Sequence, residues 1–195
     1  MSLRGTDLHK LIVSGSSFVN TTAAQGGAIN IECTRVYNVS FQDSNFTENK
    51  ATNGGGGAVY IYSSSWVRNN AEYSTKDRSE SEQSVDLDSL RISINKCHFD
   101  NAFSALAGGA VCIYVVEASV RLSHSSFTNC TSIDEHGRGR GGGAGVFIYS
   151  GRSPLAPYSR LSSHGLKSNY ELFLTVESSL FMECTSDGQI GRAHV

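Results

Sequence analysis

Hydrophobic and polar positions alternate in short runs that end in a phenylalanine. The pattern apolar-x-apolar-x-x-(Ser or Cys)-x-Phe occurs at 11–18, 39–46, 92–99, 120–127 and 174–181. Alternation with a period of two is typical of a β-strand that buries one face. A polar turn follows each phenylalanine, and the Asn found in most of these turns accepts the left-handed backbone of a tight corner. Each copy therefore predicts a short strand followed by a corner.

A second pattern places Gly-Gly-Ala before another alternating run. It reads GGAINIE at 26–32, GGAVYIY at 56–62 and GGAVCIY at 108–114; in the fourth copy, GGGAGVFIY at 141–149, the apolar residue comes one place late. Paired glycines permit a sharp corner that a Cβ atom would obstruct. These copies predict a glycine corner followed by a strand.

The spacing of the repeats indicates how the strands are arranged. The phenylalanines at 18, 46, 99, 127 and 181 are separated by 28, 53, 28 and 54 residues. A step of 28 residues is too short for a domain and suits one coil of a solenoid. The longer steps contain two Ser-rich, charged stretches without a clean period, about 63–89 and 150–170, which are predicted to be loop excursions.

Stacking the aligned copies predicts the interior. The five phenylalanines are expected to form one ladder, Ile29 a column with Val59, Val111 and Val146, and Ile31 a column with Ile61, Ile113 and Ile148. Residues 1–10 are expected to lead into the coils, 11–184 to form them, and 185–195 to be a tail or an incomplete coil. An open last coil leaves an unpaired strand edge, so end-to-end association is also expected.

The outward positions of the Gly-Gly-Ala strands carry the candidate binding face. Strand alternation places five aromatic side chains on one side: Tyr60, Tyr62, Tyr114, Phe147 and Tyr149. A contiguous apolar patch of this kind usually marks an interface. The alternative is that the long excursions fold back and cover it.

Composition and charge narrow the function. The chain has 16 basic and 18 acidic residues and a net charge of −2, so no global electrostatic attraction favours nucleic acid or an anionic membrane. No run approaches the ~20 apolar residues of a membrane span, and no signal peptide is visible at the N-terminus.

Catalytic chemistry is not indicated. No strand face gathers acidic or basic residues, so we predict no catalytic residue, no metal ligand and no cofactor. The densest group of charges, at 134–140, is interpreted as a solvated turn. The glycine-rich stretch at 137–145 lacks the Gly-Lys-Ser/Thr of a phosphate-binding loop.

The five cysteines include one candidate disulfide. They are Cys33, Cys97, Cys112, Cys130 and Cys184, and no Cys-x-x-Cys occurs among them. Cys130 and Cys184 each stand third after the phenylalanine of successive coils. Direct stacking would bring their Cα atoms to ~5 Å, within disulfide range. A Cys130–Cys184 disulfide and a ladder of buried thiols are both compatible with this spacing.

The two repeats together resemble a known family. Gly-Gly-Ala-Ile at 26–29, Gly-Gly-Ala-Val at 56–59 and 108–111, and FTEN at 46–49 resemble the repeats of polymorphic outer membrane proteins, which are surface proteins of bacterial pathogens. The resemblance covers about residues 11–184. It implies a right-handed parallel β-helix, an extracellular or cell-surface location and adhesion.

With this resemblance, the expected fold is all-β: a right-handed parallel β-helix (solenoid) of about five coils with two long loop excursions. The expected function is non-enzymatic, an adhesin-like recognition or structural segment that meets a protein or glycan at a cell surface. The same scaffold also carries pectin-cleaving enzymes. A carbohydrate-active, pectin lyase-like enzyme or a degenerate relative is therefore the alternative.

Overall fold

A computed structural model describes residues 1–63, 90–115, 118–133, 142–150 and 172–186 of the chain. The regular structure in these ranges consists of strands, numbered here in chain order, in three parallel sheets, without a helix. The prediction of an all-β chain of parallel strands is confirmed.

The strands divide among a long sheet and two narrow ones. The long sheet contains β1 (Ser2–Ser14), β4 (Ile29–Gln42), β7 (Val59–Ser63), β8 (Leu90–Asn95), β11 (Val111–Val115), β12 (Ala118–Ser123), β15 (Val146–Ser150) and β16 (Leu172–Glu177). The second sheet contains β2 (Ser17–Val19), β5 (Asn45–Thr47), β9 (His98–Asp100), β13 (Ser126–Thr128) and β17 (Leu180–Met182). The third sheet contains β3 (Thr22–Ala23), β6 (Lys50–Ala51), β10 (Phe103–Ser104), β14 (Thr131–Ser132) and β18 (Thr185–Ser186).

The chain visits the three sheets in turn and then returns to the first. Each strand pairs in parallel with the corresponding strand of the next pass, and the described residues make five such passes. In the long sheet, β1 and β4 are continuous, whereas later passes contribute two strands each. Residues 64–89 separate β7 from β8, and residues 151–171 separate β15 from β16. Apart from their first residues, Ser63 and Ser150, the predicted excursions lie outside the described residues.

The first ten residues are part of the stack and do not merely lead into it. Strand β1 begins at Ser2 and pairs with β4 from Ser2 opposite Asn30 to Ser14 opposite Gln42. Leu3 and Leu8 lie beside Ile31 and Val36 and pack against the core. The boundary expected at residue 11 is therefore absent, because apolar residues continue the repeat back to Leu3. At the other end, β18 pairs with β14, and residues 187–195 lie outside the described part.

The core is built from the predicted columns. The rings of Phe18, Phe46, Phe99, Phe127 and Phe181 stack with centroids 4.7–5.0 Å apart and planes within 6°. The Ile29 and Ile31 columns pair with their predicted partners in register. The three central rings are fully buried, whereas Phe181 is 45% exposed. The prediction of a phenylalanine ladder is confirmed.

The described passes bend at three kinds of corner that use left-handed backbone: the first two occur in all five passes, and the third joins each pass to the next. Positive φ angles recur in three columns: Gly15, Asp43, Lys96, His124 and Ser178; Asn20, Glu48, Asn101, Asn129 and Glu183; and Gly26, Gly56, Gly108 and Gly143. At Gly56 a Cβ atom would lie 2.0 Å from the carbonyl oxygen of Val59. The third corner therefore requires glycine, whereas the first two accept residues that tolerate this conformation.

The second glycine of each Gly-Gly-Ala is required by the stacking of passes. A Cβ atom on Gly57 would lie 2.0 Å from the carbonyl oxygen of Gly109. Val146 of the fifth pass pairs with Val111 of the fourth. The three residues before Val146, which are Gly143, Ala144 and Gly145, therefore correspond to the Gly-Gly-Ala at 108–110. Ala144 is tolerated there since no described residue stacks beyond it. The fourth copy thus stays in register with the others. Its apolar residue comes late in the sequence because Gly and Ala have exchanged places before it.

Hydroxyl groups connect the passes beneath the phenylalanines. The Ser or Cys of the first motif forms a column in which a backbone N–H donates to the hydroxyl of the next pass: Ser16 to Ser44 (3.2 Å), Cys97 to Ser125 (3.1 Å) and Ser125 to Ser179 (3.3 Å). Each of these hydroxyls donates to the carbonyl two residues earlier in its own pass. The motif uses Ser here because buried backbone donors at the corner need an acceptor.

Candidate recognition surface

The candidate binding face lies on two neighbouring columns of the long sheet. Tyr60 pairs with Asn30 and Cys112, and Cys112 pairs with Phe147. In the adjacent column Glu32, Tyr62, Tyr114 and Tyr149 follow one another. All five aromatic residues therefore lie in these two columns.

The five aromatic residues are not equally accessible. Tyr60 is only 3% exposed and Cys112 is fully buried, whereas Tyr149 is 36% exposed. Tyr62, Tyr114 and Phe147 are partly buried. The expectation that all five lie on an outer surface is therefore wrong for Tyr60. The alternative, cover by the excursions, concerns residues outside the described ranges.

The corner between β10 and β11 covers Tyr60. Ala107 is buried in a small cluster with Tyr60 and Cys112, and Leu106 packs against this cluster. Sequence reasoning missed this cover, although a signal was present. The Ala-Leu-Ala run at 105–107 precedes one glycine corner, where the previous repeat has Thr-Asn-Gly at 52–54.

Tyr114 is the centre of the ring cluster. Its ring centroid lies 5.9 Å from that of Tyr60, 5.7 Å from that of Phe147 and 5.9 Å from that of Tyr149, with interplanar angles of 48–59°. Tilted rings at these separations attract one another. The cluster is thus held in shape by its own contacts and by the sheet beneath it. Burial raises the pKa of the Tyr60 hydroxyl, so this phenol stays neutral.

The same two columns become polar in the first two passes. Arg4 Nε lies 3.2 Å from Glu32 Oε2, and Asn30 Nδ2 donates to Glu32 Oε1 at 3.0 Å. Aromatic residues occupy the later passes of these columns. A ligand lying along the columns would meet an ion pair at one end and rings at the other.

The candidate disulfide residues stack but are thiols in this structure. Cys130 and Cys184 occupy equivalent places, since Thr128 pairs with Met182 and Thr131 with Thr185. Cys130 Sγ lies 3.4 Å from the carbonyl oxygen of Thr128, and Cys184 Sγ lies 3.4 Å from that of Phe127. Burial raises the pKa of Cys130 to about 12. A thiol that remains protonated is a poor nucleophile.

Charged groups elsewhere join neighbouring passes. Arg35 pairs with Asp7, and Arg121 Nη2 lies 2.8 Å from Glu177 Oε2, which lowers the pKa of that carboxyl. Within the described ranges no three His, Cys, Asp or Glu side chains gather as metal ligands would. The charged group at 134–140 lies outside these ranges. The part of the chain that the structure describes also has no helix with the length and hydropathy of a membrane span.

The ring cluster and the column register are the features on which a functional assignment can be built. No family model, curated protein or solved structure matches the chain.

Proposed function

We propose that the chain is a right-handed parallel β-helix, similar to the repeats of polymorphic outer membrane proteins, that acts as a non-enzymatic recognition segment at a cell surface. The parallel in-register sheets and the three recurring kinds of corner support the helical winding. Parallel strands joined within one sheet by a crossover are right-handed in ~98% of cases, which supports the hand. The Gly-Gly-Ala and Phe repeats support the likeness to this adhesion family.

The ring cluster carries the recognition part of the proposal. Tyr114 holds Phe147 and Tyr149 at 5.7 and 5.9 Å on a sheet whose next layer is the buried core. Rings fixed in this way lose little conformational entropy on binding. Tyrosine also presents an apolar ring and a hydrogen-bonding tip, which suits a protein surface or the face of a sugar.

A binding screen tests this function. The intact chain is exposed to immobilised glycans and to cell-surface proteins, and each ligand is examined for retention and for cleavage. The Tyr62→Ser, Tyr149→Ser double variant should lose retention while keeping the circular dichroism and melting temperature of the parent. Tyr37→Ser, which removes a partly buried tyrosine elsewhere on the long sheet, is the matched control and should bind normally.

Two outcomes would decide against the proposal. Undiminished binding by the correctly folded double variant would show that recognition lies elsewhere. Cleavage of a polysaccharide by the parent chain would instead favour the carbohydrate-active alternative.

A further inference from the structure

The outward side of β8 and β12 differs in chemistry from the ring cluster. Nine neighbouring outward positions of the second, third and fourth passes form what we call the polar face: Asn38, Ser40, Gln42, Arg91, Ser93, Asn95, Ser119, Arg121 and Ser123. None of them is apolar, whereas the alternate positions between them are buried residues of the core. The polar face lies toward the other end of β4 from the ring cluster. The distance along the strand from Glu32 to Asn38 is ~20 Å at ~3.3 Å per residue.

Positive charge is concentrated on this side of the stack. The polar face contains Arg91 and Arg121, and Lys96 lies at the corner that follows β8; all three side chains are exposed. Strands β8 and β12 contribute one arginine each, so the group is assembled only when the passes stack. Arg91 and Lys96 form no ion pair with any residue in the described ranges. Two cations are therefore available to an external anion.

Carboxylates are fewer than cations in these columns. Glu177 pairs with the arginine of β12 at 2.8 Å, and Asp43 stands one pass before Lys96 in the corner column. Lys10 begins the column that continues to the arginine of β8. His124 follows Lys96 in the corner column and adds a further positive charge when it is protonated. The local excess is thus positive, although the whole chain has a net charge of −2, and such an excess attracts a polyanion.

Hydroxyl and amide groups occupy the places between the cations. Ser123 Oγ donates to Asn95 Oδ1 at 3.0 Å, and Gln42 Nε2 donates to Ser40 Oγ at 3.1 Å. These hydrogen bonds hold the side chains in place. A side-chain amide has two N–H donors and an oxygen with two lone pairs, so Gln42 and Asn95 each keep capacity to bond the hydroxyl groups of a ligand.

We propose that the polar face binds an acidic polysaccharide, at a second ligand site separate from the ring cluster. Arg91 supplies a planar fork that matches a carboxylate or sulfate group, and Lys96 supplies a compact point charge. Sugar hydroxyls bond to the amide and hydroxyl groups between them. Arg91 and Lys96 are up to ~16 Å apart at ~3.3 Å per residue, so a ligand that contacts this whole span is an extended chain.

The composition of the polar face disfavours other polyanions. Single-stranded nucleic acid stacks its bases on aromatic side chains, and the nine positions include no aromatic residue. Peripheral binding to an anionic membrane combines basic with apolar side chains, and these positions include no apolar residue either. A sugar chain with acidic groups requires only the charges and hydrogen-bonding groups that the face presents.

Retention on immobilised heparin, a polysaccharide with carboxylate and sulfate groups, tests the site. The parent chain should be retained at low ionic strength and released by salt, because salt screens exposed charges. It should not be retained on neutral dextran. The double variant Arg91→Ser, Lys96→Ser takes both residues from later passes of the same columns, where Ser119 and Ser178 stand. It should keep the circular dichroism and melting temperature of the parent and lose its retention on heparin.

Two single variants separate the site from overall charge. Lys96→Ser should elute from heparin at lower salt than the parent. Lys50→Thr removes the same charge from the third sheet, where Thr131 occupies the same column two passes later, and it should elute with the parent. The ring variant Tyr62→Ser, Tyr149→Ser should also elute with the parent, because its substitutions lie outside the polar face.

The opposite results would overturn the proposal. No retention of the parent chain on heparin, or equal retention of the parent and the Arg91→Ser, Lys96→Ser variant, would exclude the site. Equal weakening by Lys50→Thr and Lys96→Ser would reduce the effect to overall charge. Loss of retention in the ring variant would place heparin at the ring cluster instead. Tighter binding to single-stranded DNA or to phosphatidylserine vesicles than to heparin would overturn the choice of a polysaccharide.

Discussion

The rings of Phe46 and Phe99 stack with centroids 4.7 Å apart and planes 4° apart, although residues 64–89 lie between them in the chain. Phe99 stacks equally well on Phe127 at 4.8 Å, and these two are joined by a short pass. The stack is therefore independent of the length of chain between its members. What fixes it is the parallel pairing of the second sheet, where Phe46 faces Phe99 directly.

Truncating the central ring should destabilise the chain strongly. Phe99→Ala removes a fully buried ring with neighbours on both faces and should lower the free energy of unfolding by ~3–5 kcal/mol. Denaturant unfolding followed by circular dichroism measures this change. Phe181→Ala is the matched control, because this ring has one stacked neighbour and is 45% exposed. Equal losses for the two variants would mean that the stack does not stabilise the fold.

The close approach of passes at the glycine corner gives a second prediction. In Gly57→Ala the new Cβ atom would lie 2.0 Å from the carbonyl oxygen of Gly109 and 2.6 Å from the amide nitrogen of Phe103. Two backbones must separate, and the free energy of unfolding should fall by ~3 kcal/mol or more. Gly142→Ala meets only ring carbons of Phe147 at 3.5 Å or more and should be nearly neutral. Thermal melting distinguishes the two, and a stable Gly57→Ala chain would contradict this packing.

Alkaline pH should destabilise the fold through its buried thiols. Burial raises the pKa of Cys130 from 9.0 to about 12, and it also raises the pKa of Cys97. The unfolded chain therefore loses these protons first as the pH rises. The stabilisation is complete below pH 9 and is lost as the pH approaches 12. The free energy of unfolding should fall across this interval.

Cys130→Ala isolates the contribution of that thiol. Alanine is acceptable in this column, since Ala102 occupies the same place one pass earlier and is fully buried. The variant should show a shallower fall between pH 9 and 12 than the parent. An unchanged slope would show that Cys130 ionises alike in the folded and unfolded chain.

The state of the cysteines gives a further prediction. All five are thiols in the structure, and Cys184 is the least buried. The protein unfolded without reductant should titrate five thiols, and in the native protein Cys184 should react first. A count of three would instead show one disulfide, and peptide mapping would test whether it joins Cys130 and Cys184. Cys184→Ser should reduce the unfolded count to four and remove the fast native reaction.

The periodic part of the fold could be predicted because every pass repeats the same physical constraints. A phenylalanine returning after 28 residues, as at positions 18 and 46, must meet its predecessor if strands pair in parallel. The glycine pairs were predictable because Gly57 has no room for a Cβ atom. The column register of Tyr62 and Tyr114 followed from the same repeat.

Accessibility could not be predicted in the same way. Alternation places Tyr60 on the outward side of its strand but says nothing about what lies over it. The cover comes from Leu106 and Ala107 in a corner of another pass. The conformation of a corner depends on tertiary contacts, which the alternation of apolar and polar residues does not reveal. The strand formed by the first ten residues was missed for a related reason. Gly5 and Thr6 interrupt the alternation, although Leu3 and Leu8 keep the spacing of the next pass.

Both long insertions leave the long sheet from passes three and five, between strands whose lateral partners are already in place. The positions that specify the scaffold, in the paired strands and glycine corners, are thus separate from the positions of the two insertions. Natural variation in residues 64–89 and 151–171 need not disturb the buried columns, so a lineage could change what these segments contact while inheriting the same framework. Comparison of related chains should then find substitutions and length changes concentrated in the insertions, with the ring and glycine positions held constant.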